Sequence, residues 1–102
     1  MKGGLGSVGT SMPRVRFEPY IPKRADVGAI RAIRVMDDNI ERISDLVQCD
    51  LAVGIVDGEE QWGIWLPESQ RSAWCGDYII EGDPPQAMDC WSFESIYTKF
   101  KA

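Results

Sequence analysis

The sequence predicts a small α+β domain: a mainly antiparallel sheet with one amphipathic helix, a short C-terminal helix and an extended N-terminal arm. Three observations carry this. Short apolar runs bounded by glycine, proline and aspartate recur between residues 26 and 91, as hairpin-linked strands do. One stretch, residues 37–48, spaces its apolar residues as a helix does. The first 24 residues hold four glycines and three prolines, a composition that favours extended chain over a core element.

Each element follows in order. Residues 1–24 read as a flexible or extended basic arm, and 25–102 as a single domain. Proline lacks a backbone donor, so Pro13, Pro19 and Pro22 argue against a central strand. They leave room for one short edge strand at Val15 to Phe17. Val15, Phe17, Tyr20 and Ile21 give the arm apolar anchors, for its own domain or for another chain. "DVGAIRAIRVM", 26–36, reads as a strand weakened at Gly28. In "DDNIERISDLVQ", Asp37 or Asp38 caps a helix whose Ile40, Ile43, Leu46 and Val47 share one face.

"LAVGIV", 51–56, and "EQWGIWL", 60–66, flank Asp57-Gly58, a pair that tolerates the positive φ of a tight hairpin turn. Alternation in the return strand sends Trp62, Ile64 and Leu66 inward and Trp65 outward. Residues 67–76 read as a loop ending in a turn at Gly76 and Asp77, where the aspartate supplies a side-chain acceptor. "DYIIEG", 77–82, is a strand, with Ile79 on one face and Tyr78 and Ile80 on the other. The prolines of "GDPP" enforce a turn, and "QAMDCW", 86–91, pairs back. Ser92 caps a last helix in which Phe93, Ile96, Tyr97 and Phe100 recur at helical spacing.

The composition excludes several classes. With 44% apolar and 26% charged residues the chain is an ordinary globular one, and 102 residues make one domain. No apolar run approaches the roughly 18 residues of a membrane span. The first residues lack the apolar core of a secretory signal. No histidine is present, which removes Ser-His and Cys-His nucleophile pairs and the commonest general base. No glycine-rich phosphate loop opens a helix. The expectation is a protein without catalytic activity, cofactor or metal. Cys49, Cys75 and Cys90 match no disulfide framework or CxxC pair and read as small apolar residues of a reducing compartment. The acids of "DGEE", 57–60, read as a hairpin turn.

Charge is divided along the chain. Residues 1–36 carry seven basic and two acidic residues, +5, whereas 37–102 carry four basic and fourteen acidic residues, −10. An acidic body repels phosphates, so nucleic acid is expected only through the arm. A basic arm laid on the acidic body of a neighbouring subunit explains the split equally well. The partner-binding candidates are therefore Arg14, Arg16, Phe17, Tyr20, Lys23 and Arg24 in the arm, joined by Trp65 on the hairpin.

One resemblance bears on origin. Val27, Ala29 and Ile30, then the helix start and hairpin, then Gly76-Asp77-Tyr78-Ile79-Ile80 and the closing Phe93 and Tyr97, form an ordered set. This set resembles a family of small uncharacterised proteins widespread in bacteriophages and prophages, over residues 27–100. Cys75 stands where that family usually has proline, and Asp83-Pro84-Pro85 replaces its usual loop. The resemblance implies a phage protein, located in the particle or in the host cytoplasm, and supplies no catalytic residues. The expected function is an accessory subunit of the phage particle, acting through protein contacts and possible as a homo-oligomer. The alternatives are a host-directed inhibitor with an acidic surface, and a sponge for a nucleotide signal that uses tryptophan stacking.

Overall fold

The computed structural model describes residues 15–101. Arg14 and the glycine-rich part of the arm lie outside the described residues. Those described form an α+β fold of eight strands and two helices. The strands make two antiparallel sheets, where the sequence reading had one. The first sheet is built from β1 (Glu18–Pro22), β2 (Ile30–Arg34), β6 (Tyr78–Ile80), β7 (Gln86–Met88) and β8 (Tyr97–Lys99). Its spatial order is β7-β6-β2-β1-β8. The second is the meander β3 (Leu51–Val56), β4 (Glu59–Leu66) and β5 (Arg71–Trp74). Helix α1 (Ile40–Val47) leads into the meander, and α2 (Cys90–Ile96) precedes β8.

The largest correction concerns the arm. Residues 18–22 are an interior strand, paired with β2 on one side and β8 on the other. Proline is tolerated because of where each missing donor points. The Pro19 carbonyl accepts from the Phe100 amide and the Lys23 amide donates to Ile96, so the odd-numbered residues face β8. Pro19 therefore meets β8 just past the last paired residue, Tyr20 opposite Lys99. Pro22 faces the β2 side, beyond Tyr20 opposite Ile30, where that ladder has ended. Pro19 costs only the return bond to Phe100 at the end of its ladder, and Pro22 lies beyond the end of the β2 ladder. No edge strand forms at Val15 to Phe17.

Other boundaries also differ: the strands expected over 26–36 and 77–82 are confined to Ile30–Arg34 and Tyr78–Ile80. Asn39, not Asp37 or Asp38, precedes α1; its side chain accepts from the Met36 amide at 2.8 Å and donates to the Arg34 carbonyl at 3.0 Å. Four residues of the expected loop, Arg71–Trp74, form β5 against the second half of β4. Helix α2 starts earlier than expected, at Cys90, capped by Asp89, which accepts from the Ser92 amide at 3.0 Å. It stops at Ile96 because Tyr97 turns extended and pairs with Pro22, so sheet pairing overrides the helical spacing of Tyr97 and Phe100. The Asp57-Gly58 turn, with φ of 53° and 81°, is as the sequence predicts.

The first sheet separates two cores. On one face Ile33, Val35 and Ile79 pack with Ile40 and Ile43 of α1 and with Ile64, Leu66 and Ala73 of the meander. On the other, Ala32 and Tyr78 pack under Phe93 of α2, with Tyr20 and Tyr97 around them. Phe93 stacks on Tyr78 with ring centroids 3.8 Å apart, and Tyr20 meets both edge-on. The alternation Ile79 against Tyr78 and Ile80 places each on the expected side.

Candidate interaction surface

The hairpin of β3 and β4 outruns the core beneath it. Leu51, Val53 and Ile55 lie opposite Ile64, Trp62 and Glu60, so all six share one face of the meander. Near α1 this face is covered, and Ile64 and Leu66 are buried. Toward the turn, none of the described residues covers it. Val53 and Trp62 are each 49% exposed, and Ile55 is 71% exposed. Trp62 was expected inward by alternation; it does share the face of Ile64, but the core ends before reaching it. The result is a contiguous exposed apolar patch with Asp57, Glu59 and Glu60 around it.

The opposite face of the hairpin is sealed by one indole. Trp74 lies across Gly63 and Gly54, so closely that a Cβ on Gly54 would stand 2.6 Å from the ring. The two glycines let three strands carry a flat aromatic lid, which leaves the other face as the apolar one. Trp65 is on the sealed side and 40% exposed, as the alternation predicts. Trp91, at the start of α2, is 88% exposed.

The arm candidates divide. Phe17 is half-buried against the first core and Tyr20 against the second, so these anchors hold the segment to its own domain. Arg16 lines a cleft of about 300 Å³ at the ends of β1 and β2, with Arg34, Arg42, Lys99, Glu18 and Asp38. Lys99 pairs with Glu18 at 2.5 Å, and the Arg34 Nε donates to the Gly76 carbonyl at 3.1 Å. The Arg42 Nε is buried without a hydrogen-bond partner among the described residues. Four cations against two acids make this a positive spot on an acidic molecule, suited to a carboxylate or phosphate group. Lys23 donates to the Glu94 carbonyl at 2.6 Å, and Arg24 pairs with Asp26 at 3.1 Å. Of these contacts, only that of Arg31 with Glu81, at 3.3 Å, joins a cation of residues 1–36 to an acid of residues 37–102.

A second concavity, about 390 Å³, lies between the end of α1 and the loop after β6. Leu46, Leu66 and Pro84 line it, and Glu68, Glu81 and Asp83 rim it, with no basic residue among its described walls.

The thiols are held away from reactivity. Burial, then the hydrogen bond to Asp37 at 2.9 Å, pushes the Cys75 thiol up to about 11. Burial also raises Cys49 and Cys90. None is held as the thiolate a nucleophile needs. Asp77, expected as a turn acceptor, takes the Trp74 amide at 3.0 Å, and burial raises its carboxyl. Tyr78 is raised by burial and by donating to Glu94 at 2.8 Å, and that same bond lowers Glu94. Among the described residues no group of three acids or thiols is arranged to hold a metal, and no helix is long and apolar enough to cross a membrane.

Val53, Ile55 and Trp62 are the surface that sequence reasoning missed. "LAVGIV" is apolar at every position, so alternation gives no sign of which side is bare. The one available signal was the lack of any charge on the strand. No family model, curated protein or solved structure matches this chain.

Proposed function

We propose that this chain is a non-enzymatic bacteriophage protein that works through protein–protein contacts, as an accessory subunit of the phage particle. The single observation that carries the contact is the bare apolar face of the hairpin, Val53, Ile55 and Trp62. Tryptophan at the centre of such a patch is where binding energy concentrates. The phage origin rests on the likeness of Val27, Ala29, Ile30 and Gly76 to Ile80 to the phage motif. Purified particles should contain the 11.4 kDa chain. Ile55→Asp and Trp62→Asp, each checked for folding by circular dichroism, should reduce its incorporation at least tenfold. Particles that lack the wild-type chain would remove this reading.

The acid-rimmed groove between Leu46 and Pro84 favours a second reading, a host-directed regulator that docks on a basic protein surface. Capture of a host partner at low salt and its loss at high salt supports it. Capture that is indifferent to salt, or unaffected by Glu68→Lys with Asp83→Lys, counts against it.

A further inference from the structure

Among the described residues, the outer edge of the meander is a row of unused backbone groups. β3 is an edge strand of the second sheet. It holds no charge, no proline and no bulge against β4, whose six residue pairs run without a gap. Proteins ordinarily protect such edges with lysine, proline or a covering element, because a bare edge is a template for another strand.

The direction of its bonds can be read. The Asp50 carbonyl accepts from the Trp65 amide at 2.8 Å, so Asp50, Ala52, Gly54 and Val56 turn their backbone groups toward β4. Leu51, Val53 and Ile55 therefore turn theirs outward, three donors and three acceptors. The same three residues carry the exposed side chains.

We propose that β3 pairs antiparallel with β3 of a second copy of this chain, about a two-fold axis through Val53. The inference rests on the protein-contact reading above and names the partner. In this register Val53 faces Val53 and Leu51 faces Ile55 of the second copy. All the outward groups then pair, giving six hydrogen bonds between the copies. Shifting the axis by one residue in either direction pairs only two of the three residues on each strand. Half-residue shifts bring outward groups against inward ones. The side chains agree with the backbone. Large residues meet on the Trp62 face, and Ala52 meets Gly54 on the Trp74 face. The row Trp62–Val53 continues into Val53–Trp62 of the second copy, one apolar band across four strands. Asp50 falls opposite Val56, and Asp57 opposite Cys49, so no acid of β3 or its flanks faces an acid. An interface of this kind is isologous, using the same patch twice.

Sedimentation of the full chain at micromolar concentration should give twice 11.4 kDa. Val53→Pro removes an outward donor while leaving the ladder to β4 intact, and should give the single-copy mass with an unchanged circular dichroism spectrum. Ile55→Lys, which places a charge on the edge without touching the backbone, should do the same and serves if the proline variant does not fold. Register is tested by cross-linking. A hydrogen-bonded pair has Cα atoms about 5.5 Å apart, inside the disulfide range. Val53→Cys should therefore link to itself on mild oxidation by oxidised glutathione, identified by peptide mass. The Ile55 pair lies four residues apart along the strands, about 13 Å, so Ile55→Cys should not link to itself. A single-copy mass at every concentration, a dimer that survives both edge variants, or a 55–55 link stronger than the 53–53 link would overturn the pairing. If the chain is single-copy yet Ile55→Asp still loses its place in the particle, the pairing falls and the protein-contact reading stands.

Discussion

Replacing Gly54 by alanine tests how the hairpin is held rigid. The new methyl would stand 2.6 Å from Cη2 of Trp74, well inside the 3.4 Å where ordinary contact begins. The indole must slide or tilt. Overpacking of this kind costs about 1–3 kcal/mol, and relief of glycine's entropy in a strand returns roughly 0.5–1 kcal/mol. Because the clash is with a ring edge, the net cost should be about 1 kcal/mol. Gly63→Ala is the harder case. Its methyl would meet the same indole at 2.7 Å and also the Ala73 carbonyl oxygen at 2.7 Å, and a ladder carbonyl cannot move aside. Its net cost should be about 2–3 kcal/mol on the same scale. The two diverge when Trp74 is replaced by alanine. With no indole to displace, Gly54→Ala should become neutral or stabilising by about 0.5 kcal/mol, a coupling of about 1.5 kcal/mol. Gly63→Ala should remain destabilising in that background. Urea unfolding followed by circular dichroism, at one fixed protein concentration, reads these differences; 1 kcal/mol moves the midpoint by about 1 M for a chain with an m-value near 1 kcal/mol/M. Equal costs for Gly54→Ala with and without Trp74 would refute the lid.

Two further outcomes follow from the titrating groups. Tyr78 is an acid whose folded pKa is raised above 10.0, so its bond to Glu94 stabilises fully below that value and is lost as pH rises through the folded pKa. Tyr78→Phe should therefore lower stability at neutral pH, and its gap from the wild type in thermal melts should narrow above pH 10. Cys75, raised to about 11, should react with iodoacetamide at neutral pH far more slowly than a free thiol, and Asp37→Asn should speed it by removing the negative charge beside the thiol.

The legible parts of this fold were those written in local chemistry. Asp57-Gly58 specifies its turn through backbone conformations that few residue pairs adopt. Gly76, at φ 99°, and Asp77, with its bond to the Trp74 amide, did the same. Alternation sorted Tyr78, Ile79 and Ile80 correctly because each side of that strand has its own core. The failures came from long-range pairing. Pro19 and Pro22 exclude a central strand only if their missing donors face a partner, and that depends on where β2 and β8 stop. Tyr97 and Phe100 keep helical spacing with Phe93, but Pro22 claims Tyr97, about 75 residues away along the chain. Of the two exposed hairpin tryptophans, Trp65 could be found by alternation. Trp62 could not, because its exposure is set by how far the core extends beneath the hairpin.

The place of β1 has a consequence for synthesis. This strand, one of the first parts of the described chain to be made, is completed on one side only by β8, one of the last. Until residues 97–99 have left the ribosome, the β8-facing edge of β1 must wait unpaired, with Ile21 beside it. A chain truncated after Ile96 should behave as a nascent one does, with an open edge at β1 and an aromatic core lacking Tyr97. Closing the first sheet thus depends on β8, whereas the hairpin pairs only residues that are neighbours along the chain.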